Sequence, residues 1–156
     1  MTPAVRVLEA AKVTFTLHEY EHNPDADSFG LEAASKLGVS PERVFKTLVA
    51  QVDGRDLVAA IVPVDAKLDL KKLAATVGGK RAEMAQPQAA ERATGYVVGG
   101  ISPLGGKKRL KTVIDDRAAQ QQTLLVSAGR RGLQIELTPS DLVRLTDAKL
   151  AAIGTT

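Results

Sequence analysis

Thr94-Gly-Tyr-Val-Val-Gly-Gly-Ile-Ser-Pro-Leu-Gly-Gly-Lys-Lys-Arg-Leu-Lys111 reads as an apolar strand, Tyr96–Val98, that turns abruptly into bare backbone. Gly99, Gly100, Gly105 and Gly106 carry no Cβ and tolerate positive φ, so a ligand can approach the main chain closely. Pro103 fixes its own φ and biases Ser102 toward extended geometry, which keeps such a loop from being floppy. Four cations follow: Lys107, Lys108, Arg109 and Lys111. Peptide N–H groups beside positive charge suit a phosphate-bearing ligand. An ordinary turn followed by a solvated basic surface fits the same residues. The stretch lacks the ending of a phosphate-binding P-loop and the strand–GxGxxG–helix order of a dinucleotide site, which argues against ATP and NAD.

Working outward, 156 residues with 44% hydrophobic content suffice for one domain with a real core, and the expectation is a single domain over 1–156. The net charge of +3 is mild and does not by itself announce nucleic acid, although local clusters can. There is no cysteine, so disulfides, thiolate metal sites and a protein thiol nucleophile are excluded together. Aromatics make up 3%, too few for a base-stacking platform. Charge in the first nine residues argues against a secretory segment, and no apolar run approaches the roughly 20 residues that span a bilayer. A cytoplasmic protein without membrane contact is expected.

Along the chain, Thr2-Pro3 caps a helix whose apolar face is Val5, Leu8 and Ala11. Lys12–Tyr20 switches to period two, with Val13, Phe15 and Leu17 on one side of a strand. Glu21–Ser28 is a polar loop, Gly30–Gly38 a short helix, and Ser40–Arg43 a capped turn. Val44–Val52 and Asp56–Val64 form a hairpin through Asp53-Gly54. A helix over Leu68–Val77, a short strand over Lys80–Met84 and a helix over Pro87–Ala93 lead into the opening stretch. Beyond it, Thr112–Ile114, Thr123–Ser127 and Leu133–Leu137 are strand-like, and Thr138-Pro-Ser-Asp141 starts a last helix through Leu145. Strands and helices mix without regular alternation and a tight hairpin is present, which makes the class α+β. No repeat, low-complexity tract or linker interrupts it.

Few residues offer chemistry. Lys46 lies in a largely apolar strand, sharing a face with Val44, Leu48 and Ala50, so its ammonium needs a partner, a wet cleft or a route to solvent. His18 and His22 sit at a strand end and in a loop, without the acidic frame of a metal site, so no metal is expected. Ser127 precedes Ala128-Gly-Arg-Arg-Gly132, a second backbone-rich loop with Arg130 and Arg131, which would complement the first if their strands lay side by side. Neither Ser102 nor Ser127 sits in a GxSxG elbow. Tyr20 and Phe29 bracket the acidic loop as anchors or as walls of a pocket.

These residues prompt a family. Thr2-Pro-Ala-Val, Phe45-Lys-Thr-Leu, Leu68-Asp-Leu-Lys-Lys, Glu83-Met-Ala, Thr94 to Gly105 and Val126-Ser-Ala-Gly-Arg-Arg-Gly-Leu fall in the order of the YbaK-type Cys-tRNA(Pro) deacylases. The chain resembles them, and their relatives inserted as editing domains in bacterial prolyl-tRNA synthetases, over essentially its whole length. Ala128 departs from the glycine of many relatives and narrows backbone freedom beside Ser127. The resemblance implies a compact, mixed, partly barrel-like sheet flanked by helices. It also implies hydrolysis, in trans, of cysteine esterified to tRNA(Pro), with Cys-tRNA(Cys) as a further substrate, no cofactor, and a transient complex with prolyl-tRNA synthetase.

The family's essential lysine maps onto Lys46, its Gly-x-x-x-Pro loop onto Gly99–Pro103 and its second-loop serine onto Ser127. Tyr20, Phe29 and Thr47 match pocket positions. With no thiol, triad or metal in the chain, the expected route is attack by the substrate's own thiol on its carbonyl. Peptide N–H groups around Gly100, Ile101 and Ser102 would stabilise the oxyanion, and Lys46 would anchor the terminal ribose-phosphate. Lys107, Lys108, Arg109, Lys111, Arg130 and Arg131 are the expected contacts to the tRNA backbone. The rival readings are an Ala-tRNA(Pro)-type deacylase that uses water, and a non-catalytic tRNA-binding module.

Overall fold

The computed structural model describes residues 1–155. Thr2 accepts the Val5 N–H at 3.3 Å and Pro3 occupies the first turn, so α1 (Pro3–Ala10) starts where its cap chemistry dictates. After β1 (Thr16–Glu19), Ser28 caps α2 (Phe29–Leu37), which Gly38 ends in the left-handed region. β2 (Phe45–Val52) and β3 (Asp56–Pro63) form the hairpin, with Asp53 and Gly54 both at positive φ. There follow β4 (Lys67–Leu68), α3 (Leu70–Thr76), β5 (Ala82–Met84) and α4 (Pro87–Thr94). Beyond the glycine-rich loop come β6 (Lys111–Asp115), β7 (Leu124–Ser127), β8 (Leu133–Leu137), α5 (Pro139–Thr146), β9 (Lys149–Ala151) and β10 (Gly154–Thr155).

Three sheets result, in orders β5-β2-β3-β6-β9, β1-β8-β7 and β10-β4. β3, β6 and β9 run parallel to one another and the remaining pairings are antiparallel, the mixed α+β arrangement expected. A single parallel bridge, Val44↔Leu125, joins the five-stranded sheet to the three-stranded one and curves them around a shared interior. Leu8, Phe45, Ile61, Ile114, Leu124, Ile135 and Leu142 fill that interior. The opposite face of the larger sheet is covered by α3 and the C-terminal segment through Ala50, Val62, Leu73, Val113 and Ile153.

The sequence expectations fail at three places. Tyr96–Val98 is not a strand. Gly95, at φ 78°, ends α4, and the Tyr96 side chain buries itself, its hydroxyl donating to the Leu104 carbonyl at 2.7 Å. The next residues then bend, the Gly100 N–H closing onto the Val97 carbonyl at 2.9 Å. Second, the inward face of Lys12–Tyr20 does not persist: Lys12 adopts φ 57°, Val13 and Phe15 join the core, and Leu17, on an edge strand, is 44% exposed. Ala11, likewise, is exposed at the end of α1, where Ala4 is buried instead. Third, the short β9 and β10 were not expected. The buried Asp115 carboxylate holds this C-terminal segment by accepting the Ile153 and Gly154 N–H groups at 3.2 and 2.7 Å.

One glycine ties the loop to the first helix. Gly105 has φ 72°, and a Cβ there would lie 2.6 Å from the Pro3 carbonyl carbon and 2.7 Å from the Ala4 nitrogen. Backbone against backbone cannot yield as a side chain can. Gly105→Ala is expected to destabilise the fold by about 2–3 kcal/mol, read as a lowered urea midpoint at unchanged slope. A midpoint equal to wild type would contradict this packing.

Candidate active site

A cleft of 560 Å³ opens between β2, the start of α2, the glycine-rich loop and the β7–β8 pair. Lys46, Thr47, Phe29, Gly99, Ile101 and Ser127, all expected site residues, line it. Strand pairing explains the convergence. The Val44↔Leu125 bridge sets β2 beside β7, so Lys46 and Ser127, each two residues further on, stand at one level with their side chains on one face. β7 and β8 pair Ser127 with Gln134, which extends this row by one strand. Lys46, Ser127 and Gln134 thus cross the cleft floor in order.

Burial lowers the pKa of the Lys46 ammonium below the ordinary lysine value, with the charge of Asp65 pulling it back and that of Lys67 adding to the lowering. A partly desolvated cation of this kind gains most when an anionic or strongly polar group enters the cleft. The half-buried seat of Lys46 near the start of β2 is the source of that desolvation.

The loop wall of the cleft is held by close backbone contact. Gly99, at φ 89°, faces Phe29 and Arg131: a Cβ would meet the Phe29 ring at 2.8 Å and Arg131 Nε at 2.9 Å. A Cβ on Gly100 would lie 2.9 Å from the Arg130 Cα. The two backbone-rich loops therefore touch, although the side-by-side strands on which that expectation depended are absent. Arg131 completes the contact. Its Nε and a terminal nitrogen donate to the Val98 carbonyl at 3.0 and 2.6 Å, and its guanidinium lies 4.6 Å from the Phe29 ring centre. One side chain thus joins the start of α2 to both loops.

The other expected residues fall as follows. The Gly100 N–H, expected to face the substrate, is used inside its own turn, which corrects that role; Gly99 and Ile101 line the cleft, and their N–H groups meet no acceptor among the described residues. Ser102 and Pro103 lie on the far side of the loop, lining a smaller cavity of 240 Å³ with Lys108 and Arg109. Thr47 and Ile101 border both cavities. Tyr20 does not line the cleft. Burial raises the pKa of its phenol, and the Gly132 backbone and the Gln134 side chain beside it act in the opposite direction.

Lys107, Lys108, Arg109 and Lys111 are exposed. The Lys107 and Lys108 N–H groups also satisfy the Thr94 and Ala93 carbonyls at the end of α4, where positive charge is favoured. Arg130 is exposed and paired with Glu19 at 2.6 Å.

Two site groups escaped the sequence reading in whole or part. Among the described residues, the buried side-chain polar atoms without any hydrogen-bond partner are Thr47 Oγ1 and Gln134 Oε1, and both residues line the cleft. Gln134 was not among the expected site residues, yet counting back through the Ser127–Leu133 hairpin sets it opposite Ser127. Neither Ser127 nor Ser102 is paired with a base among the described residues. Ser127 Oγ accepts the Gly129 N–H and Ser102 Oγ the Leu104 N–H, while His18 and His22 pair with Glu136 and Glu32 at 2.7 Å each. Each histidine thereby braces a separate piece of the frame.

Comparison with known proteins agrees with this architecture. A crystal structure described as that of a trans-editing candidate for prolyl tRNA synthetase superposes with a TM-score of 0.83 over 100% of this chain and 99% of its own, at 24% identity. The crystal structure of the protein APE2540 gives 0.88 over 99% and 100%, also at 24% identity. In sequence, the chain is 41% identical over 155 residues to EbsC of Enterococcus faecalis, named as a candidate Cys-tRNA(Pro)/Cys-tRNA(Cys) deacylase, covering 99% of this chain and 93% of EbsC. It is 32% identical over 124 residues to the multifunctional Ser/Thr-tRNA deacylase ProXp-y of Escherichia coli, covering 76% and 74%. The aminoacyl-tRNA editing domain model matches residues 23–145, and the chain belongs to that family of editing hydrolases.

Proposed function

We propose that the protein, acting in the cytoplasm as one editing domain over residues 1–156, hydrolyses Cys-tRNA(Pro) and also Cys-tRNA(Cys). The observation that carries this reading is the composition of the cleft: a partly desolvated ammonium and unpaired backbone donors, with no thiol and no hydroxyl paired to a base. The likeness to EbsC favours cysteine as the edited residue. Reactivity must then come from the substrate or from water.

In this reading Lys46 Nζ holds the ribose-phosphate of the terminal adenosine, and the Gly99 and Ile101 N–H groups receive the ester carbonyl oxygen. The cysteinyl sulfur loses its proton and attacks the carbonyl carbon. Negative charge gathers on the oxygen between the two backbone donors, an arrangement often worth about 2.7–4 kcal/mol per donor. Collapse breaks the carbon–oxygen bond, and the departing ribose oxygen takes up a proton. Water then opens the cyclic thioester to free cysteine. The remaining cations, Lys107, Lys108, Arg109, Lys111 and Arg130, supply long-range attraction to the tRNA backbone. Selection of tRNA(Pro) falls to a transient complex with prolyl-tRNA synthetase.

The likeness to a Ser/Thr-tRNA deacylase gives a second reading weight, in which water is the nucleophile and hydroxyl side chains are accepted. Substrate comparison separates the two. The proposal predicts that Cys-tRNA(Pro) is cleaved at least about 100-fold faster than Ser-tRNA(Pro), because a hydroxyl is a far weaker nucleophile than a thiol at neutral pH. Equal rates would favour water. Lys46→Ala is expected to lower kcat/KM by about 100-fold or more with the fold retained, and near-normal turnover would remove Lys46 from the site.

Arg131, committed to Val98 and Phe29, acts in this proposal as a clamp on the cleft wall, not as a phosphate contact. Arg131→Ala should lower kcat by about tenfold while the dependence of tRNA binding on salt keeps its slope. A slope shallower by about 1 would instead mark a lost phosphate contact.

A further inference from the structure

The end of the five-stranded sheet away from the cleft carries a row of cations. Lys80 and Arg81 lead into β5, Arg55 follows the Asp53-Gly54 turn into β3, and Arg109 and Lys111 open β6. All five are exposed, and none forms an ion pair among the described residues. Strand register brings them together. Ala82 and Asp56 both pair with Val52, and Lys111 pairs with Val58, so Arg81, Arg55 and Arg109 stand at the ends of neighbouring strands. From β5 to β6 the row crosses three strand intervals, about 14 Å.

The backbone under this row is fixed. The Asp53 carboxylate accepts the Lys80 N–H at 3.0 Å and the Arg81 N–H at 2.9 Å, which commits it to main chain. A Cβ on Gly79 would run into the Val52 side chain, so this segment lies tight against the hairpin. Between Gly78-Gly79 and Arg109–Lys111 opens a cavity of 340 Å³, with Arg55, Asp53 and Asp56 also on its walls. Two partners suit exposed cations, an acidic protein face and RNA, and the composition chooses between them. Five cations against Asp53, Asp56 and the exposed Glu83 leave net positive charge, which favours phosphate. The carboxylates inside the cavity would repel an acidic protein face. An RNA duplex instead presents phosphates together with ribose 2′-hydroxyls along one shallow groove, and a hydroxyl donates to a carboxylate.

Distance ties the row to the cleft. Met84, which lines the cleft, stands three residues along β5 from Arg81, about 10 Å. Lys46 lies six residues along β2 from Val52, about 20 Å. A 3′ tail of a few unpaired nucleotides, its last ribose at Lys46, covers that span and delivers the first base pairs to the cations. On the reading of the cleft given above, on which this placement rests, we propose that Arg55, Lys80 and Arg81, with Arg109 and Lys111 beside them, dock the double-helical acceptor stem of the aminoacylated tRNA. Phosphate contacts carry no base information. The surface therefore takes acceptor stems in general and leaves the choice of tRNA(Pro) to other contacts.

The test uses cysteine esterified to two RNAs: a stem-loop copying the acceptor stem with its 3′ tail, and the single-stranded tail alone. Combining Arg55→Ala, Lys80→Ala and Arg81→Ala should raise KM for the stem-loop by about tenfold or more, at unchanged kcat. Turnover of the tail alone should stay at the wild-type level, which also reports an intact fold and cleft. Binding of the uncharged stem-loop should lose salt dependence in the triple variant, its slope of log K against log salt shallower by about 2–3. A wild-type KM for the stem-loop would overturn the proposal, as would an equal loss on both RNAs. An unchanged slope, with activity lost only when prolyl-tRNA synthetase is present, would overturn it in favour of a protein partner. Should wild type spare both cysteinyl RNAs, the cysteine reading fails, and the salt slope of the uncharged stem-loop still decides the docking surface.

Discussion

Everything at the cleft depends on two stretches of main chain passing closer than a methyl group allows. Gly100 lies against the backbone of Arg130, and Gly99 against the Phe29 ring and Arg131, at separations that a Cβ would violate. Contact at this range transmits position without slack. The Val98 carbonyl, gripped twice by Arg131, carries that rigidity into Gly99 and Ile101, which line the cleft. Preorganised donors need no reorganisation when charge develops in front of them, which is why such a loop can serve an ester hydrolase.

The sheet supplies the second coordinate. A single bridge between Val44 and Leu125 brings two sheets together and, by simple counting, ranks Lys46, Ser127 and Gln134 across one floor. The shared interior behind that floor is apolar throughout, from Leu8 to Leu142, so the polar row is backed by a packed surface that cannot relax around it. Cleft polarity and core apolarity are thus two faces of the same strands. Lys46 is lowered by burial because it stands at their border.

Much of this was legible in the chain. Caps at Thr2 and Thr138, the Asp53-Gly54 turn and the left-handed stop at Gly38 are local chemistry, and local chemistry reads directly from residue order. Lys46, the glycine-rich loop and Ser127 were legible because their types are unusual for their surroundings. What stayed hidden was set by contacts that residue types alone do not announce. Tyr96-Val-Val98 has strand composition, yet the Tyr96 hydroxyl reaching Leu104 wraps it into a loop. The Gly100 N–H is consumed by a turn that composition cannot reveal, and Arg131 looks like a surface cation until Val98 and Phe29 arrive beside it. Gln134 carries no signal beyond its register, since an amide on a half-polar strand is commonplace until its oxygen is found buried and alone.

The account stands on one claim: backbone N–H groups of Gly99 and Ile101, with Lys46 alongside, receive the 3′ end of an aminoacylated tRNA. A crystal structure with 3′-deoxy-3′-cysteinylamino-adenosine 5′-phosphate, whose amide resists cleavage, tests it most directly. The account predicts the carbonyl oxygen about 2.7–3.1 Å from one or both N–H groups, with the phosphate or ribose within reach of Lys46 Nζ. The same ligand seated in the smaller cavity beside Ser102 and Pro103, with Lys46 untouched, would contradict it.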